Sequence, residues 1–194
     1  PVHTGHLIVA EEARVRLALE EVVFIPTGQP WLKADQPVSP APLRMEMVRL
    51  AGASNPFFRV SSVEVDRDGP TYTVDTLLAL RDQWGPEAGV YFILGVDALK
   101  DLPKWKEPIR LLELCTFIAF ARPEYGEASL GDLDEAALGA SERIRVLGDP
   151  QFGVSGTEVR RRVAQGISIR YLVPEAVERF ILDNRLYCKE EADG

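Results

Sequence analysis

Two histidines are the whole imidazole complement of this 194-residue chain, and they stand close together as His3-Thr4-Gly5-His6. The run opens what reads as an amphipathic helix. A glycine at such a place permits close backbone approach, and a helix start offers amide N–H groups and the positive end of the helix dipole to an anion. Imidazoles at that spacing can both face the same spot, which suits phosphate groups. Two other readings stand beside this one. The run can be an ordinary exposed helix start, or the histidines can be zinc ligands. The zinc reading is the poorest, because no cysteine or carboxylate completes a tetrahedral set.

A second constellation is Ser155-Gly156-Thr157-Glu158-Val159-Arg160-Arg161-Arg162. Ser155 or Thr157 can cap a helix whose first amides point at an anion, and Arg160 can reach the same anion with its two-pronged guanidinium. A plain capped helix with a basic, solvated face is the competing reading. The third is Gly95-Val96-Asp97, directly after an apolar run. Glycine at a strand end lets a ligand lie against backbone, and Asp97 can accept from a sugar hydroxyl or cap a helix starting at Ala98. The fourth joins Tyr72 and Thr73, in Thr71-Tyr72-Thr73-Val74-Asp75-Thr76, to Trp105 and Lys106. A tryptophan beside a cleft can stack on a planar ring, although core packing is the commoner use. The fifth is Lys33, in a Pro/Gly-rich loop, where a lysine can close over a phosphate or simply remain solvated.

The elements that must position these residues alternate in type. Helical periodicity covers 5–21, 43–53, 71–84, 155–165 and 174–184, and an acidic surface helix is expected over 124–142. Strands are expected over 22–25, 58–65, 90–94, 115–120 and 144–147. The apolar runs Val22-Val23-Phe24-Ile25 and Val90-Tyr91-Phe92-Ile93-Leu94 read as strands buried on both faces. A long loop spans 26–42, and the polar tail 189–194 is expected to fray. The pattern predicts an α/β, Rossmann-like, doubly wound parallel sheet, in one domain over 1–194, with a C-terminal helical part at 155–188 packed on it. Ligands in such sheets bind beyond the carboxyl ends of the strands, so the residues that follow each strand carry the information.

Composition narrows the function. With 22 Lys+Arg against 30 Asp+Glu the formal net charge is −8. A pI near 4.9 argues against a chain that coats nucleic acid or an anionic membrane. A hydrophobic content of 46% is too high for disorder. No apolar run approaches the ~20 residues of a membrane span, and no signal peptide is visible. Cys115 and Cys188 form no metal pattern and read as reduced thiols, so a cytoplasmic location is expected.

Taken together and in order, the motifs resemble the HxGH nucleotidyltransferases, and within them bacterial nicotinic acid mononucleotide adenylyltransferase. Pro1-Val2-His3-Thr4-Gly5-His6-Leu7 is similar to that family's Pro-x-His-x-Gly-His-Leu. Tyr72-Thr73-Val74-Asp75-Thr76-Leu77 is similar to its Tyr-Thr-x-Asp-Thr-Leu. Gly95-Val96-Asp97 with Leu102-Pro103-Lys104-Trp105, Ala121-Arg122-Pro123, Ser155-Gly156-Thr157-Glu158-Val159-Arg160, and Tyr171-Leu172-Val173-Pro174 with Leu186-Tyr187 continue the resemblance over nearly the whole chain.

The resemblance implies adenylyl transfer from ATP to nicotinic acid mononucleotide. The expected products are deamido-NAD and pyrophosphate. It implies His3, His6 and Arg160 as catalytic residues. Lys33, Gly95, Asp97, Arg122, Ser155, Gly156 and Thr157 are expected at ATP, and Tyr72, Thr73, Trp105 and Lys106 at the nicotinate nucleotide. It implies Mg²⁺ carried mainly on the ATP phosphates, with no metal ligand set in the protein. No nucleic-acid or membrane partner is expected, and a homodimer is left open.

The chain also departs from the family. Gly156 stands where a second serine is common. Trp31-Leu32 precede Lys33 where many members have Pro-His. The family's first strand and its Gly-Gly-Thr-Phe-Asp turn come before the proline that is Pro1 here, so that strand is expected to lie outside this sequence. The alternative readings are a pantetheine-phosphate adenylyltransferase or cytidylyltransferase, and a catalytically dead nucleotide-binding relative or fragment.

Overall fold

The computed structural model describes residues 1–30, 38–120, 141–148 and 153–188. Lys33, Arg122, the expected surface helix up to residue 140 and the tail 189–194 lie outside the described residues. The chain groups into two compact units. The first comprises Pro1–Pro26, Val38–Ser61 and Val154–Gly194, and the second Thr27–Pro37 and Ser62–Gly153.

In the first unit, α1 (Thr4–Arg16) runs into β1 (Val22–Phe24), and α2 (Ala41–Gly52) leads to β3 (Phe58–Val60). The strands β1 and β3 pair in parallel, Val22 with Phe58 and Phe24 with Val60. A parallel pair needs a crossover, and α2 lies within it. The helix α1 is shorter than its periodicity predicts. It stops at Arg16 because Ala18 takes a left-handed backbone, φ 51°, that an L-residue helix cannot continue. Neither β1 nor β3 matches its expectation fully. Only Val22 of β1 is buried, and β3 stops at Val60, not Val65. Beyond Val60 the partner strand has run out, and Ser62 turns the chain. Its hydroxyl donates to Asp66, and its carbonyl accepts from the Asp66 N–H.

The closing helices α6 (Gly156–Ala164) and α7 (Glu175–Asp183) complete this unit, within a residue of their expected bounds. Its core is Val2, Met47, Ala51, Val159, Ile169, Val173, Val177 and Ile181. These side chains come from the chain start, α2, α6, the 169–173 turn and α7. The C-terminal helices are thus packed into the same core as the segment that carries the histidines.

In the second unit, β2 (Gln29–Pro30) pairs in parallel with β4 (Pro70–Thr71). Gly28 is required just before it, since a Cβ there would lie 2.1 Å from the Glu64 carbonyl oxygen. Next come α3 (Thr73–Trp84), β5 (Tyr91–Gly95), α4 (Val96–Leu99), a 3₁₀ turn at Leu102–Lys104, α5 (Pro108–Leu114) and β6 (Thr116–Phe120). A second 3₁₀ turn, Ser141–Arg143, precedes β7 (Ile144–Leu147).

The strands β5, β6 and β7 form a three-stranded parallel sheet, with Tyr91 opposite Thr116 and Phe117 opposite Ile144. Every strand pair among the described residues is parallel, as an α/β doubly wound pattern requires, and the pairs fall into three separate groups. The core here includes Val74, Leu77, Leu94, Val96, Leu99, Leu102, Leu111 and Phe117. Helix α4 begins at Val96 with Gly95 as its cap, so Asp97 sits in the first turn and does not cap a helix from Ala98. No helix among the described residues is long and apolar enough to cross a membrane.

Candidate active site

The histidine pair is built by the start of α1. His3 caps the helix in extended backbone, φ −143°, and is buried, with 6% of its surface exposed. His6, one turn on, is exposed. The rings lie 3.8 Å apart between centroids, tilted by 39°. The backbone N–H of His3 donates to His6 Nδ1 at 3.2 Å. An Nδ1 that accepts carries no proton, so the neutral ring bears its hydrogen on Nε2. The pair therefore has one imidazole held inside and one directed outward as a donor.

In the same unit, Ser155 caps α6, its Oγ accepting from the Glu158 N–H at 3.1 Å. Gly156 and Thr157 supply the first-turn amides that no helical carbonyl can reach. The Pro1 segment lies against this helix start, for a Cβ on Gly156 would be 3.3 Å from the Pro1 carbonyl oxygen and 3.5 Å from Arg160 Nη1. The glycine thus serves close approach of backbone. Arg160 Nη2 donates to Thr157 Oγ1 at 3.1 Å, and the guanidinium is paired with no carboxylate among the described residues. Arg161 and Arg162 both bind Glu158, at 2.7 and 2.8 Å. Hydrogen bonds from Arg161 and then Arg162 hold the Glu158 carboxyl down at about 2. The one acidic side chain of the first turn is thereby paired with Arg161 and Arg162 and not with Arg160.

The second unit holds the other predicted residues. Gly95 ends β5 and Asp97 follows in α4, at the carboxyl edge of the sheet. Tyr72 and Thr73 open α3. Lys106 Nζ binds Asp75 at 2.9 and 3.0 Å and sits 4.9 Å from the centre of the Tyr72 ring. The Asp75 hydrogen bonds raise the Lys106 pKa above its usual value. Trp105 meets Phe92 and Phe117 edge-on, at 5.8 and 6.4 Å between centroids. Its indole Nε1 is buried and has no hydrogen-bond partner among the described residues. A buried N–H without an acceptor is costly, and a polar ligand atom could take it up.

Asp75, inside the Tyr-Thr-x-Asp motif, is the partner of Lys106, a contact that the motif does not reveal. Its position in the first turn of α3 was the available signal. Among the described residues no three His, Cys, Asp or Glu side chains gather as a metal site.

The fold and these residues define a class, that of the nucleotidyltransferases. A family model described as cytidylyltransferase-like matches residues 1–162. A probable nicotinate-nucleotide adenylyltransferase of Dehalococcoides mccartyi (strain CBDB1) is 42% identical over 190 residues, covering 98% of this chain and 93% of its own. One of Roseiflexus sp. (strain RS-1) is 47% identical over 188 residues, covering 96% and 92%. In fold, the chain is similar to Plasmodium falciparum nicotinic acid mononucleotide adenylyltransferase complexed with NaAD, with a TM-score of 0.77 at 18% identity, over 96% of this chain and 92% of that one. The chain belongs to the nicotinate-nucleotide adenylyltransferase family, within the cytidylyltransferase-like nucleotidyltransferases.

Proposed function

We propose that this enzyme transfers the adenylyl group of ATP to nicotinic acid mononucleotide. A phosphate oxygen of the mononucleotide attacks the α-phosphorus in line, and a new P–O–P bond forms. The bond from that phosphorus to the α,β-bridging oxygen breaks, and its electron pair leaves with pyrophosphate. The nucleophile is already an anion, so no strong base is needed. Charge and approach angle are what the protein must manage.

The observation that carries this reading is the pairing, in one unit, of the His3–His6 helix start with the Ser155-capped helix and its Arg160. His6 donates Nε2–H to the α-phosphate as negative charge shifts there, and His3 backs it. The Gly156 and Thr157 amides with Arg160 hold the departing β- and γ-phosphates. Gly95 and Asp97 border the nucleotide, Asp97 at its ribose. Trp105 carries the nicotinate ring, and Tyr72, Thr73 and Lys106 meet its carboxylate. Lys33 and Arg122, both outside the described residues, add charge at ATP. The donors at the phosphate end are imidazoles, amides and a guanidinium, a poor set for Mg²⁺, which prefers oxygen. The ion fits only as cargo of the phosphates, where it would offset their charge.

The test is pyrophosphate release with ATP, Mg²⁺ and one of three acceptors: nicotinic acid mononucleotide, nicotinamide mononucleotide or 4′-phosphopantetheine. Release with the nicotinic acid form is expected to be fastest. No release with either mononucleotide refutes the reading, and turnover of the pantetheine alone moves the enzyme to that neighbouring activity.

A further inference from the structure

The first residue of α1 is fastened to a distant turn. Thr4 gives its backbone N–H to the Leu172 carbonyl at 2.9 Å. Its hydroxyl reaches the same carbonyl at 3.0 Å and the Tyr171 carbonyl at 3.3 Å. The turn is itself anchored, since Ile169 and Val173 on either side are each only 2% exposed. Tyr171 holds a left-handed backbone, φ 66°, which is unfavourable for a bulky L-residue. Burial of its ring does not account for this, because Tyr171 is 83% exposed. What the conformation accomplishes is to present two consecutive carbonyls to one threonine.

We propose that Thr4 is a positioning residue for the reaction, acting through the two histidines that flank it. This rests on the adenylyl-transfer reading above. His3 precedes Thr4 and His6 is half a turn beyond it, so the pin at Thr4 fixes both the rotation and the height of the first turn of α1. With the turn fixed, the His3 N–H stays on His6 Nδ1, and the Nε2–H donor keeps its direction. The start of α6 is set against the Pro1 backbone immediately upstream. Thr4 therefore holds the histidine donors in register with the Arg160 helix, inside one unit and one core. A displacement near 1 Å at such a site costs on the order of 10²-fold in rate. An isosteric side chain without the hydroxyl leaves the backbone bond to Leu172 intact and removes only the lateral restraint.

Three proteins decide this: wild type, Thr4→Val and Thr4→Ser. Thr4→Val is expected to lower kcat by ~10- to 100-fold while the KM for nicotinic acid mononucleotide stays within about two-fold. Thr4→Ser, which keeps the hydroxyl, is expected to stay within about three-fold of wild type in kcat. A second readout needs no turnover. The chain has two histidines, so long-range ¹H–¹⁵N spectra of the imidazoles report this site alone. The Nε2–H signature of His6 is expected in wild type and in Thr4→Ser, and is expected to be lost or averaged in Thr4→Val.

Unchanged kcat and unchanged imidazole signals in Thr4→Val overturn the proposal. So does a loss shared equally by Thr4→Val and Thr4→Ser together with a lowered Tm, which marks a merely structural cap. If wild type shows no turnover, the adenylyl-transfer reading fails on its own, and the spectra still decide whether Thr4 sets the histidines.

Discussion

Arg160, Arg161 and Arg162 are adjacent in sequence and differ in partner. Arg161 and Arg162 are both committed to Glu158, whereas Arg160 donates to the Thr157 hydroxyl and is paired with no carboxylate among the described residues. On the proposed reading, the charge that meets a departing pyrophosphate therefore sits on Arg160 alone of the three. Arg160→Ala is expected to lower kcat by ~10²-fold or more, the usual scale for removing a preorganised charge donor. Arg161→Ala and Arg162→Ala are expected to change kcat by less than about three-fold, because each leaves the other on Glu158. Steady-state pyrophosphate release measures all three. A comparable loss in all three would show that the basic face acts as a whole.

The cysteines also separate at this scale. Cys115 is buried and its thiol is pushed up to about 12 by desolvation, while Cys188 is exposed. At pH 8 a disulfide reagent is expected to titrate one thiol in the folded protein and two in denaturant. The sequence singles out Arg160, and the three- and four-residue spacing from Glu158 marks Arg161 and Arg162 as partners of that carboxylate, whereas two lone cysteines carry no mark of which is buried.

At the scale of elements, the helices and strands that carry the site were largely readable. The bounds of β7 match, and those of β5, β6, α6 and α7 match to a residue. Each is an apolar run, or a periodic face, closed by a cap or a breaker. The departures have separate causes. An alternating stretch such as 58–65 is a strand only as far as it has a partner, and β1 supplies one for three residues. Helix α5 went unread because it is short, although Pro108 at its first position and buried Leu111, Leu112 and Leu114 were signals.

Helix α6 offers an element-scale prediction. Its Ser155 cap and Glu158 pairs both act at the first turn, and Ser155→Ala is expected to cost about 1 kcal/mol. Hydrogen bonds from Arg161 and Arg162 hold the Glu158 carboxyl at about 2 in the folded protein, against 4.5 for a free glutamate. A depressed carboxylate stabilises the fold fully above its unfolded value, and that contribution fades as pH falls from 4.5 towards 2. The fall of Tm across this window is expected to be steeper for wild type than for Glu158→Gln, as scanning calorimetry would show. Parallel curves would mean that the cluster contributes nothing to the fold.

The whole molecule handles two polyanions while carrying a net charge of −8. A basic surface would attract ATP from a distance and lose that attraction in salt, with a Debye length of about 10 Å at 0.1 M. The net charge of −8 opposes ATP at long range, and on the proposed reading attraction rests on groups at contact range: helix-start amides, two imidazoles and Arg160. Contacts at hydrogen-bond range are screened weakly, and salt also relieves the long-range repulsion, so the two effects oppose each other. The kcat/KM for ATP, at saturating Mg²⁺, is therefore expected to vary by less than about three-fold between 50 and 250 mM KCl. A steep fall over that range would mean that capture depends on a concentrated positive field. Lys33 and Arg122 would then be the residues to neutralise next, since the family resemblance assigns both to ATP; neither lies among the described residues. A flat response would leave the work with the two helix starts, and would explain how an acidic chain binds nucleotides without a basic face.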